Sequence, residues 1–207
     1  VSRAIAISES LTVETPRGPA AVRVTGPTGP ALSLLVLGHG AGGGIDAPDL
    51  TAVHDAAVAA GVRVALVTQP YRVAGRRAPA PAGQLDEAWT AVIGALRVPG
   101  MPLIVGGRSS GARVACRTAP TAQAAGVLAL AFPLHPPGKP EKTRVGELPS
   151  ALPTLVISGE RDPFGVPEPA GPVEVLIRPG AVHDLRKGVT ETADLAVGWL
   201  RRNGWAR

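Results

Sequence analysis

The stretch that most restricts how this chain can fold runs from Pro102 to Arg117. Pro102-Leu103-Ile104-Val105-Gly106 is short and apolar, as a buried strand is, and Ala112-Arg113-Val114-Ala115-Cys116-Arg117 reads as the first turns of a helix. Between them stands only Gly107-Arg108-Ser109-Ser110-Gly111. A strand that becomes a helix through Gly-x-Ser-x-Gly turns so tightly that the serine takes strained backbone angles, and side chains two residues to either side would clash. Glycine at 107 and 111 removes that clash and leaves the hydroxyl exposed above the end of the strand. Ser110 lacks glycine at both flanking positions, so Ser109 is the serine presented.

The same alternation recurs along the chain. Apolar runs predict strands near residues 32–38, 62–68, 102–107, 126–132, 153–158 and 173–178, and helical patterns fall near 48–60, 84–96, 110–119 and 188–203. Strands alternating with helices imply a mostly parallel twisted sheet with helices on both faces. Leu11-Thr12-Val13-Glu14 and Ala21-Val22-Arg23-Val24, around Pro16-Arg17-Gly18, predict an antiparallel hairpin at the sheet edge. A chain of 207 residues can bury one sizeable core, so a single α/β domain over 1–207 is expected. No internal repeat is present, and no interval is long enough for a cap domain. Two proline-rich segments, 70–83 and 133–150, read as loops, and loops of that length often shape a binding site.

Two further constellations supply what a serine nucleophile needs. Leu34-Leu35-Val36-Leu37 runs straight into Gly38-His39-Gly40-Ala41-Gly42-Gly43-Gly44. Attack on a carbonyl creates a negative oxygen, and preorganised backbone N–H groups stabilise it; losing one donor costs about 10²–10³ in turnover. The N–H groups of Ala41 and Ser110 are the expected donors, with Gly42 the alternative to Ala41. A phosphate cradle is the competing use of such a loop. Here it lacks an acidic residue at a second strand end. Downstream, the strand ending at Gly159 leads into Glu160-Arg161-Asp162-Pro163-Phe164-Gly165, and the next leads into Pro179-Gly180-Ala181-Val182-His183-Asp184. Ser109, Asp162 and His183 follow in the order nucleophile, acid, base, each at a strand end. Taken alone, the aspartate would be a turn former and the histidine solvated; their shared order favours catalysis. Glu160 and then Asp184 are the alternative acids. His39 is expected to shape its own loop, His54 to lie on a helix surface, and His135 to border the pocket.

These pieces together resemble a small α/β-hydrolase, near dienelactone-hydrolase-like serine hydrolases. Within them the chain is most similar to the compact branch with a Gly-Arg-Ser elbow. The resemblance rests on His39-Gly40-Ala41-Gly42, on Pro70-Tyr71 with Gly75-Arg76-Arg77-Ala78-Pro79, and on Gly107-Arg108-Ser109-Ser110-Gly111. It extends to Pro133-Leu134-His135-Pro136-Pro137-Gly138-Lys139 and Arg161-Asp162-Pro163-Phe164-Gly165. It implies an α/β-hydrolase fold without a cap, and cleavage of an ester or thioester of a small acid by a Ser109–His183–Asp162 triad, without a cofactor. The chain departs from the branch at Ser110, where a bulkier residue is usual, and from dienelactone hydrolases proper in having serine as nucleophile. The alternative is a non-enzymatic binding or scaffolding protein on the same frame; an amidase would use the same triad. Tyr71, Arg108, His39 and His135 are the candidate substrate contacts. Arg108 either locks the elbow by pairing with a nearby carboxylate, which is the favoured reading, or reaches a substrate carboxylate.

Composition narrows the remaining classes. The net charge of +5 comes from scattered arginines, with only three lysines, a bias typical of a GC-rich bacterial genome. A nucleic-acid partner is not expected, because a basic footprint clusters on one face or enters a known motif. Arg72, Arg76 and Arg77 would suit an acidic substrate. The single cysteine, Cys116, rules out an internal disulfide, suits a reducing cytoplasm and reads as a buried filler. No metal-ligand spacing, no signal peptide and no apolar run near the ~20 residues of a membrane span is legible. The oligomeric state leaves no trace in the sequence.

Overall fold

The computed structural model describes residues 7–207. Eight strands form one sheet: β1 (Ile7–Val13), β2 (Ala20–Gly26), β3 (Leu34–Gly38), β4 (Arg63–Thr68), β5 (Leu103–Arg108), β6 (Gly126–Leu130), β7 (Thr154–Gly159) and β8 (Val173–Arg178). Their spatial order is β1-β2-β4-β3-β5-β6-β7-β8. The β1–β2 hairpin and the β2–β4 pair are antiparallel; from β4 to β8 every pairing is parallel. The hairpin strands are longer than the sequence pattern predicts, because polar residues of β1 pair with β2 at the exposed edge of the sheet.

Both faces of the sheet are covered. On one face α3 (Ala82–Leu96) and α4 (Ser110–Thr118) bury Leu85, Trp89, Val92 and Cys116 against Val36, Val105 and Ala129. On the other, α1 (Pro48–Ala59) and α5 (Val189–Arg202) bury Leu50, Val53 and Trp199 against Leu35, Ile104 and Leu155. Strands buried on both faces read as unbroken apolar runs, and β3, β6 and β7 are buried along their whole length. Cys116 belongs to this core, and burial pushes its thiol up to about 12, so it stays a neutral filler.

Three expectations are corrected. The segment 70–83 is not all loop: α2 (Pro70–Val73) follows β4 at once, with Pro70 at the helix start where its missing N–H costs nothing. Strand β6 stops at Leu130 rather than residue 132, since Ala131 turns to φ 48° and donates its N–H to Ile157 O. His54 is buried rather than on the helix surface. It shares the inward stripe of α1 with Leu50, Val53 and Ala57, and its ring nitrogens are satisfied by Asp55 and Thr25.

Register decides where chemistry can gather. Gly38 of β3 lies beside Gly107 of β5, Arg108 beside Leu130 of β6, and Gly159 of β7 beside Arg178 of β8. The loops after β3, β5, β7 and β8 therefore all leave the same edge of the sheet, the carboxyl edge where open α/β sheets bind ligands.

Candidate active site at the carboxyl edge of the sheet

Ser109 sits at the junction of β5 and α4 with φ 52° and ψ −110°. Such a backbone persists in a non-glycine residue only where its surroundings over-determine it. Here its N–H donates to Leu130 O at 2.9 Å and its carbonyl accepts from the Arg113 N–H at 3.1 Å. The flanking glycines serve close approach: a Cβ on Gly107 or Gly111 would run into the Gly38 carbonyl of the neighbouring strand. The clash that the Gly-x-Ser-x-Gly pattern anticipates is thus against β3 as much as within the turn.

The turns after β7 and β8 bring an imidazole and a carboxylate to this hydroxyl. His183 Nε2 lies 2.9 Å from Ser109 Oγ, and His183 Nδ1 lies 2.8 Å from Asp162 Oδ2. The Asp162 side chain is fully shielded, and its second oxygen accepts the Phe164 N–H at 2.9 Å. With its carboxylate held at both oxygens, Asp162 dictates which ring nitrogen of His183 carries the proton. Phe164 also stacks on the ring itself, with centroids 4.2 Å apart. The two turns are tied together by the Arg161 N–H donating to Ala181 O at 3.0 Å. Of the alternative acids, Glu160 accepts the Gly180 N–H, and Asp184 pairs with Arg186; neither meets the imidazole.

The loop after β3 lies directly over the serine, since a Cβ on Gly40 would stand 3.6 Å from Ser109 Cβ. Among the described residues, neither the Ala41 N–H nor the Ser110 N–H donates to a protein acceptor. The Gly42 N–H instead faces the Tyr71 hydroxyl, whose pKa is raised by burial and partly restored by that amide. His39 is enclosed beneath the loop. Its Nε2 accepts the Gln69 N–H at 3.1 Å, so Nδ1 carries the proton and donates to Gly40 O at 2.8 Å. Burial lowers its pKa. His39 therefore shapes the loop as a neutral ring, and Arg72 steadies the far side by donating to Gly43 O at 2.8 Å.

Arg108 is held by a residue that sequence reasoning missed. Its Nε lies 3.2 Å from Oδ2 of Asp49, whose side chain is fully buried at the start of α1. The contact is a charge pair at an angle short of a hydrogen bond, and no other side chain satisfies Asp49. Burial raises the Asp49 pKa and Arg108 draws it back down. Another arm of the guanidinium reaches His183 O at 3.4 Å, and Nη1 would stand 2.8 Å from a Cβ on Gly40. One side chain thus links the start of α1 to the loops after β3 and β8. In sequence Asp49 is an ordinary acid in a first helical turn, and nothing marks it as the partner of a residue 59 positions on. Phe164 was legible as part of the Asp162 turn but not as the wall of the imidazole.

His135 braces the Asp162 turn: its ring lies against Gly165, its Nδ1 pairs with Pro136 O, and its backbone N–H donates to Phe164 O. The far end of the same loop is clamped to α4 and α3, where Glu147 accepts from Arg113 and Arg117, and Arg117 also holds Asp86. Burial alone would raise the Glu147 carboxyl, but the two arginines bring it below its ordinary value. Arg72 is occupied by backbone carbonyls, while Arg77 places its carbonyl beside Gly42. Among the described residues no group of three or more His, Cys, Asp or Glu side chains is placed to hold a metal ion, and no helix is long and apolar enough to cross a membrane.

Comparison with known proteins agrees with this architecture. Residues 31–187 match a family described as an alpha/beta hydrolase domain. A lidless serine hydrolase of Xanthomonas campestris superposes with a TM-score of 0.74 at 21% identity, over 94% of each chain. An alpha-beta serine hydrolase homologue of Coxiella burnetii also gives 0.74 at 21%, over 92% of this chain and 96% of the other. A dienelactone hydrolase of Anabaena variabilis gives 0.73 at 19%, over 98% and 99%. At these identities the likeness is one of fold. No curated protein sequence matches the chain.

Proposed function

Since this chain belongs to the alpha/beta hydrolase family, we propose that it is a serine hydrolase cleaving an ester or thioester of a small acid through an acyl-enzyme. The observation that carries the proposal is the hydrogen-bonded line Ser109–His183–Asp162 at a strained elbow. Neutral His183 takes the proton from Ser109 Oγ as the oxygen attacks the substrate carbonyl carbon. Asp162 stabilises the imidazolium that forms. The tetrahedral oxygen is received by the N–H groups of Ala41 and Ser110, neither of which donates to a protein acceptor among the described residues. His183 then returns the proton to the leaving alcohol or thiol, and the carbonyl re-forms as the acyl-enzyme. Water repeats the cycle, giving its proton to His183, and the acid leaves as Ser109 is restored.

No step calls for a cofactor. The proposal places the protein in a reducing cytoplasm, where a lone buried thiol needs no partner. The direct test is labelling of the purified protein with a fluorophosphonate, followed by peptide mass spectrometry. Modification at Ser109 that disappears in His183→Ala is the expected result; a folded protein that takes no label would refute the mechanism.

A further inference from the structure

The loop after β3 carries the proposed oxyanion donor Ala41, and the loop after β8 carries the proposed base His183. Among the described residues no hydrogen bond joins 39–47 directly to 179–188. A cavity of about 230 Å³ lies between them, with Gly43 and Gly44 on one side and Asp184 and Arg186 on the other. Arg108 and Asp49 line the same cavity. The guanidinium spans what the backbone leaves open. Its Nη2 donates to His183 O at 3.4 Å, and its Nη1 stands where a Cβ on Gly40 would meet it at 2.8 Å. Arg108 also directly precedes Ser109, so the same residue borders the nucleophile in sequence and both loops in space.

As a stabilising device the Arg108–Asp49 pair is poorly built. The Asp49 side chain is fully buried and that of Arg108 is 17% exposed. They approach at 3.2 Å, yet neither Asp49 oxygen nor Arg108 Nε has a well-formed hydrogen bond. Buried ions repay their desolvation only with excellent geometry and satisfied lone pairs; apolar residues of similar volume often do as well or better. Stability therefore does not account for the pair. Position does, because the carboxylate holds the guanidinium where it meets Gly40 and His183 together. A reacting group misplaced by about 1 Å can cost on the order of 10²-fold in rate.

We propose that Arg108, anchored by Asp49, is a positioning residue that sets the oxyanion loop and the His183 loop relative to Ser109. The inference rests on the hydrolase reading. Arg108 acts through the Gly40 backbone and the His183 carbonyl, and makes no contact with substrate.

Two variants separate position from stability. Arg108→Met/Asp49→Leu removes both charges, and Arg108→Lys keeps a charge beside Asp49 without the guanidinium's other two arms. Urea midpoints of both are expected to stay near that of the wild type. The acylation rate constant for p-nitrophenyl acetate is expected to fall about 10- to 100-fold in each, with half-saturation changed less than about twofold. Hydrogen exchange read by mass spectrometry is expected to quicken in peptides covering 39–44 and 180–187. If the double variant fails to fold, Arg108→Lys decides. Acylation within about threefold of wild type would overturn the proposal. So would a loss carried by weaker saturation, which marks a substrate contact, or exchange unchanged at both loops. A wild type that takes no fluorophosphonate label refutes the hydrolase reading alone, and exchange then decides whether Arg108 ties the two loops.

Discussion

Among the described residues, two places align a hydroxyl, an imidazole and a carboxylate. At the sheet's carboxyl edge, Ser109 Oγ, His183 and Asp162 are linked at 2.9 and 2.8 Å. Beneath α1, Thr25 Oγ1, His54 and Asp55 are linked at 2.9 and 2.7 Å, beside a cavity of about 380 Å³. The pairwise distances are nearly the same, but everything around them differs. Thr25 lies inside β2, where the backbone is committed to ladders with Ser8 and Val64, so no free amide waits for an oxyanion. Asp55 is the chain neighbour of its histidine and its side chain is 71% exposed, whereas the Asp162 side chain is fully shielded. Ser109 stands in a strained turn whose next N–H, that of Ser110, has no protein acceptor among the described residues. A relay is cheap to form by packing; the strained turn, the free donors and the shielded acid are what separate a candidate nucleophile from a satisfied core histidine.

The sharpest way to break this comparison is to delete each hydroxyl. Ser109→Ala or His183→Ala is expected to cut hydrolysis of a simple p-nitrophenyl ester by about 10⁴-fold or more, and Asp162→Asn by about 10⁴-fold. Thr25→Val and Asp55→Asn are expected to leave turnover at the wild-type level. Equal losses at both clusters in a steady-state assay would erase the distinction drawn here.

Arg108 tests whether the site depends on a buried charge pair that the Thr25 cluster lacks. Arg108→Met strands Asp49 in the core, and breaking such a pair costs about 3–5 kcal/mol. Urea denaturation is expected to reveal that loss, and Arg108→Met/Asp49→Leu to recover most of it. A double variant as unstable as the single one would remove Asp49 from the account. Phe164→Ala probes the wall of the imidazole. Loss of a ring contact worth about 0.5–1.5 kcal/mol is expected to lower kcat roughly two- to tenfold with little change in thermal stability.

The smallest effect concerns His39. Its folded pKa is depressed by burial, so below about pH 6.5 the unfolded chain takes up a proton that the folded chain refuses. Its contribution to stability is therefore full above that pH and declines on acidification, by at most about 1.4 kcal/mol per pH unit. Denaturation midpoints between pH 7 and pH 5 are expected to fall less steeply in His39→Gln than in the wild type. Identical slopes would mean that the ring titrates freely.

Much of this was legible from residue order. Glycines at 107 and 111 announced the elbow because steric exclusion there acts over two residues, and each apolar run announced a strand because a parallel strand is buried on both faces. The order of Ser109, Asp162 and His183 at strand ends anticipated their meeting, since parallel connections return successive strand ends to one edge. What stayed hidden depended on separation in space. His54 reads as a surface histidine until α1 is laid on the sheet and its stripe faces inward. Asp49 reads as a first-turn acid until the β5–α1 packing sets it against Arg108. The cavity that Arg108 spans has no motif at all, because it is made of three segments, none of which knows of the others.

Local sterics and hydrophobic periodicity, both properties of neighbouring residues, therefore determined the strand–helix alternation, the elbow and the chain order of the site. The register of Gly38 against Gly107, the shielding of Asp162 and the burial of the Arg108–Asp49 pair were decided only in the tertiary structure. Desolvation and long-range pairing belong to the assembled solid rather than to any stretch of chain.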